Sequence, residues 1–239
     1  ADKGFVAGTL VHTDKGLVPI EQLKVGDMVL SKPESGEVAY KPVVNTFVYE
    51  YEEIWLVEFT SRDCYPDEQF SSGEVPCCFD VIVGTPNQLF WEVGAINHYE
   101  DMQLILYPEV FFAKPNKHQA VWERLDQLEQ YTVVVCADGF LARVRAMQPI
   151  FVMQHPDRGF LAGYLLGDWW EYDDWTGCPY VDLSNSPTIS EKEVYNKEMR
   201  DDSGDWRYPV KKRTVYNLEI ADCNNYFVGK SGILVAAQK

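Results

Sequence analysis

The stretch Ile20-Glu21-Gln22-Leu23-Lys24-Val25-Gly26-Asp27-Met28-Val29-Leu30-Ser31 can be laid over Leu125-Asp126-Gln127-Leu128-Glu129-Gln130-Tyr131-Thr132-Val133-Val134-Val135-Cys136 at a constant spacing of 105 residues. Hydrophobic, acidic and Gln-Leu positions coincide. Each copy reads as one helical turn feeding a strand, and Pro19 suits the start of the first turn. A polar turn and a second strand follow in both copies, Val38 to Val44 and Phe140 to Val144. The echo predicts a duplicated β unit with pseudo-twofold symmetry, because related units pack through equivalent surfaces.

Working outward, the texture stays β. Val43 to Val48, Ile54 to Phe59, Phe79 to Val83, Leu104 to Tyr107, Ile150 to Met153, Val215 to Ile220 and Tyr226 to Val228 are short and rich in β-branched or aromatic residues. Lys32 to Gly36, Ala137 to Gly139 and Gly229 to Gly232 punctuate them as turns. Only Pro19 to Leu23 and Lys117 to Gln130 ask to be helical; the latter sets Ala120, Val121, Leu125 and Leu128 on one side. Many short strands with almost no long helix predict an all-β domain. Asp168 to Trp206 is acidic, aromatic and turn-rich, and reads as an insertion.

Composition narrows the function classes. The chain has 239 residues, 46% of them hydrophobic, and 37 Asp+Glu against 21 Lys+Arg leave a formal net charge of −16. That apolar fraction argues against disorder. No run approaches the roughly 18 apolar residues of a membrane-spanning helix, so no membrane partner is expected. The charge repels a phosphate backbone, and the densest basic run is only Lys211-Lys212-Arg213, so no nucleic-acid partner is expected either. The six cysteines, Cys64, Cys77, Cys78, Cys136, Cys178 and Cys223, include no CxxC pair and no Cys/His zinc spacing. They read as small buried residues, and no metal or cofactor is expected.

The two ends and the middle carry a resemblance. Gly4-Phe5-Val6-Ala7-Gly8-Thr9-Leu10-Val11, continuing through Pro19-Ile20-Glu21-Gln22-Leu23-Lys24-Val25-Gly26-Asp27, resembles the first block of the Hint (hedgehog/intein) autoprocessing family, in particular the members that precede bacterial polymorphic toxins. Val215 to Ile220, Tyr226 to Gly229 and Gly232 to Val235 resemble its last two blocks. Thr85-Pro86-Asn87-Gln88 resembles its Thr-x-x-His block. About half of the chain is covered, which implies one Hint-type domain over 1–239 with insertions near 92–118 and 154–213.

The resemblance implies an all-β horseshoe that gathers both chain ends in one cleft for self-cleavage. A nucleophile at the domain's start attacks the preceding carbonyl, and intramolecular placement makes the attack feasible. The Thr-x-x-His block serves the scissile amide, whose nitrogen must gain a proton to leave. At the far end an Asn cyclises on its own carbonyl with help from histidines. By the same resemblance, the natural setting is a bacterial self-processed polyprotein, cytoplasmic or within a secreted effector.

This sequence departs from that pattern at the reacting groups. Gly4 stands at the nucleophilic Cys, Gln88 at the block histidine, Asn224 at the late-strand histidine, and Ala236-Ala237 at the terminal His-Asn pair; Thr85 alone is retained. Gln88 can hydrogen-bond but cannot shuttle a proton at neutral pH. The expectation is therefore a Hint fold in which both covalent steps are lost, whether by descent or by design. Gln238, not Cys, Ser or Thr, follows the terminal pair, which leans toward cleavage without ligation. The alternative is a non-catalytic spacer or interaction module on the same fold.

The remaining motifs read blandly. His12 sits in a strand-like run and reads as a packed or rim residue, and His118 as part of a solvated face. Leu161 to Asp168 faintly resembles the LAGLIDADG helix of homing endonucleases, but has no second copy. Trp169 to Trp175 reads as a docking surface for another protein, as a cation site using Asp168, Glu171, Asp173 and Asp174, or as an insertion whose tryptophans cover the core while its carboxylates stay in water. The spacing does not match a calcium loop, which favours the insertion. The expected partners are thus the flanking segments of the same polypeptide, with another protein at that acidic-aromatic stretch as a further candidate.

Overall fold

A computed structural model describes residues 3–34, 36–61, 78–97, 103–107, 120–161, 178–194 and 209–238. Among the described residues the strands are Phe5–Val6 (β1), Leu10–Thr13 (β2), Gly16–Pro19 (β3), Met28–Ser31 (β4), Ala39–Glu53 (β5), Trp55–Ser61 (β6), Cys78–Gly84 (β7), Leu89–Asn97 (β8), Gln103–Leu106 (β9) and Val121–Arg124 (β10). Then follow Thr132–Val135 (β11), Leu141–Pro149 (β12), Phe151–Val152 (β13), Arg158–Phe160 (β14), Cys178–Asp182 (β15), Thr188–Val194 (β16), Lys212–Ile220 (β17), Asn225–Val228 (β18) and Ile233–Ala236 (β19). Fifteen of them form one antiparallel sheet; β13 to β16 form a second, four-stranded one. The domain is all-β.

The duplication is visible in the pairing. One unit joins β2 to β3 and β4, and β4 to β5; the other joins β8 to β10 and β11, and β11 to β12. A single 3-10 turn follows the second strand of each unit, Ile20–Gln22 and Leu125–Gln127, the same 105 residues apart as the sequence echo. Gly26 and Tyr131, equivalent in that spacing, both take positive φ, at 94° and 74°. The β18–β19 hairpin lies between the units, β18 pairing with β2 and β19 with β8. Flanked on both sides, β19 is buried at every residue, as its unbroken apolar run requires.

The helical expectation for Lys117 to Gln130 is overturned over the described part. Val121–Arg124 is a strand on the edge of β8, and only Leu125–Gln127 turns, as a 3-10 helix. Four residues cannot sustain an α-helix against the hydrogen bonds a neighbouring edge offers. The stretch from 92 to 118 begins inside β8 and contains β9, while 154–213 contains β14 to β16 and the start of β17. Trp169 to Trp175 and His118 lie outside the described residues.

Two cores meet at β1. Phe5 points into the main one, edge-on to Phe90 and Tyr226 with ring centroids 6.2 and 6.4 Å away. Its neighbour Val6 points the other way, into the core shared with Ile150, Leu161 and Val181 beneath the small sheet. Such alternation is what an extended segment buried on both faces must do. Burying Phe5 and its ring contacts contributes about 2–3 kcal/mol, which anchors the residues just before it.

Candidate functional site

β1 lies between β17 and β7, with Phe5 opposite Tyr216 on one side and Gly84 on the other. Gly4 therefore enters the sheet between these strands. Its N–H donates to Thr85 Oγ1 at 3.2 Å, and the Thr85 N–H donates to the Gly4 carbonyl at 2.9 Å. The carbonyl before it, that of Lys3, accepts from Asn217 Nδ2 at 2.8 Å. The Lys3–Gly4 peptide is thus held at both of its polar atoms by side chains from β17 and from the end of β7.

Asn217 is fully buried, and its amide is oriented by two donors. The Tyr226 hydroxyl and the Leu218 N–H both donate to Oδ1, each at 2.8 Å. That leaves Nδ2 for the Lys3 carbonyl and, at 3.3 Å, for Gln88 Oε1. Burial pushes the Tyr226 phenol well above its ordinary pKa, so it remains a donor. Gln88, also fully buried, donates from Nε2 to the Ala236 carbonyl at 3.0 Å and to the Leu89 carbonyl at 3.2 Å.

The other end of the chain arrives at the same strand. Ala237 N–H donates to the Asn224 carbonyl and Gln238 N–H to the Leu218 carbonyl, both at 2.8 Å. Consecutive residues of β17, Asn217 and Leu218, therefore bind the Lys3–Gly4 peptide and the Ala237–Gln238 peptide. Of the positions singled out by sequence, Gly4 touches Thr85, Gln88 touches Ala236, and Ala237 touches Asn224. Asn224 takes part through main chain; its side chain is exposed. His12, half-buried, meets the Gly229 carbonyl through Nε2 at 2.9 Å, a packed rim position.

At Gly4 the missing side chain leaves no empty space. A Cβ there would fall inside the envelope of the Tyr216 carbonyl oxygen and 3.2 Å from the Asn217 Cβ. Main chain occupies the room a nucleophile's first carbon would need. The polar partners of the two end peptides are donors and acceptors, Asn217, Thr85 and backbone groups, that hold their form across neutral pH. Such a site can position a peptide and support an oxyanion at the Lys3 carbonyl.

Asn217, Tyr226 and Leu218 hold the two end peptides and are positions that the sequence did not single out. One signal was present: an Asn amid the apolar run of β17 is a residue type that strands disfavour unless its amide is used.

Residues 10–70 match the family described as the pretoxin HINT domain. Among solved structures, a bacterial intein-like domain from Clostridium thermocellum is 20% identical, with 99% of each chain covered and a TM-score of 0.50. A DnaB intein from Synechocystis sp. PCC 6803 is 10% identical over the whole of both chains at 0.46, and the gp41-1 intein 12% identical over 99% of both at 0.44. No curated protein matches. The fold is thus similar to that of an intein-like domain, and the opening stretch is similar to the pretoxin HINT domain.

Proposed function

We propose that this chain is a self-processing Hint domain whose ancestral reaction broke the Lys3–Gly4 peptide, and whose covalent steps are disabled here. In that reaction a thiol on residue 4 adds to the Lys3 carbonyl, the C–N bond breaks, the nitrogen takes a proton, and a thioester remains. Thr85 and Gln88 belong to the scissile-amide block, Asn224 stands for the late histidine, and Ala236 with Ala237 for the cyclising pair. The observation that carries the reading is the grip on one peptide from both sides, Asn217 on its carbonyl and Thr85 on its nitrogen. The pretoxin match supports a setting within a toxin-bearing polyprotein.

A present role as a spacer that fixes the geometry of flanking segments is favoured by the Tyr216 carbonyl at Gly4 and by the hydrogen bonds that make Gln88 a cross-link. The test is to introduce Gly4→Cys, Gln88→His, Asn224→His, Ala236→His and Ala237→Asn together, with flanking segments attached, and follow intact mass. Cleavage at either junction supports the ancestral reaction. A folded but inert protein leaves the spacer.

A further inference from the structure

β5 carries an irregularity opposite β17. Tyr51 has a φ of 59°, the left-handed region that a bulky side chain avoids, and is 83% exposed, so packing does not hold it there. The register shows why it bends. Tyr49 lies opposite Val215 and Glu52 opposite Arg213, so three steps on β5 match two on β17. This is a β-bulge, and such bulges re-aim side chains. Val215 and Arg213, two apart, share a face of β17; the bulge therefore brings Glu52 onto the same face as Tyr49.

Both residues meet the chain ends. The Lys3 ammonium pairs with the Glu52 carboxylate and stands 6.0 Å from the centre of the Tyr49 ring. The Tyr49 hydroxyl donates to Gln238 Oε1 at 3.2 Å. Phe47 stacks on the Tyr49 ring at 6.4 Å with planes 4° apart and steadies it. Lys3 and Gln238 are the residues just outside the span from Gly4 to Ala237. One tyrosine thus contacts the side chain before the first junction and the one after the last.

We propose that Tyr49 and Glu52 form a flank-reading site that selects a basic residue, Lys or Arg, immediately before residue 4 and a hydrogen-bond-accepting side chain immediately after residue 237. The assignment rests on the self-processing reading for its use, but the contacts can be tested apart from it. A carboxylate beside an aromatic face suits a long cation, whose stem lies along the ring while its charge pairs. The Tyr49 hydroxyl donates to Gln238 Oε1 in this arrangement, which suits an accepting side chain there. Strain at Tyr51 fits the pattern of strained backbone kept where it aims functional groups.

Two experiments decide it. In the chain as it stands, NMR should find the Lys3 methylene protons shifted upfield by the Tyr49 ring. Tyr49→Phe should move the Gln238 side-chain amide signals and spare Lys3, whereas Tyr49→Leu should move both. An unshifted Lys3, or a Gln238 amide indifferent to both substitutions, overturns the site whatever the domain's reactivity. In the chain with its reacting groups introduced, Lys3→Glu should slow first-junction cleavage by about threefold or more, the scale of a part-exposed ion pair. Glu52→Lys should slow it with Lys3 and restore it with Lys3→Glu. Equal rates in all four combinations overturn the selectivity. If that chain folds with Gly4→Cys accommodated beside the Tyr216 carbonyl and still stays intact, the self-processing reading fails, and the NMR result alone decides whether the contacts exist.

Discussion

Asn217 shows how much one side chain can organise. Its carbonyl oxygen takes two donors, and its nitrogen reaches the Lys3 carbonyl and Gln88, so a single buried amide ties β17 to the Lys3–Gly4 peptide and to the start of β8. Tyr226→Phe keeps the ring in the Phe5 cluster and deletes one donor. It should cost about 1 kcal/mol in urea unfolding, because the oxygen retains Leu218 and loses only one of two bonds. No measurable loss would mean the hydroxyl is not engaged. Cys136 and Cys223 are free and buried, and burial pushes the Cys136 thiol up to about 12, in keeping with cysteines that pack and do not react.

The element on which both units lean is the β18–β19 hairpin. Its turn runs from Gly229 to Gly232, with φ of 81° and 71° at those two residues. Asp80, from β7, accepts from the Ser231 N–H at 3.0 Å, and a Cβ on Gly229 would collide with that carboxylate. Burial raises the Asp80 pKa, against the pull of its Ser231 and Val81 hydrogen bonds. Asp80→Ala should destabilise the fold by about 1–3 kcal/mol, since it takes the acceptor from a turn packed against β7. Asp80→Asn, which keeps an acceptor, should cost less. Denaturant midpoints distinguish the two; equal midpoints would remove Asp80 from this role.

At the scale of the whole molecule, the fold concentrates acid that the sequence spreads out. Glu92 on β8 is pushed up to about 7, first by burial and then by Glu123 and Glu129, which β10 and the turn before β11 bring near. The sign follows from linkage. Between the ordinary value of 4.5 and about 7 the folded protein holds a proton that the unfolded chain has released, so unfolding free energy falls across that window as pH rises and levels off above it. Glu92→Gln should flatten that fall and raise the melting temperature at about pH 8, above the folded-state value. An unchanged pH profile would show that Glu92 ionises freely.

By itself the sequence determined the all-β class, the duplicated unit with its paired turns, and the resemblance in block order, because strand alternation, turn chemistry and block order are written in neighbouring residues. Val121–Arg124 already marks the limit: local periodicity read it as helix, and the open edge of β8 made it a strand. The tertiary structure alone decided that Asn217 binds a carbonyl 214 positions away and Tyr49 a side chain 189 positions away. It alone decided that main chain fills the room beside Gly4. These contacts depend on which strands become neighbours, and a residue's type carries no record of what will lie against it across a sheet.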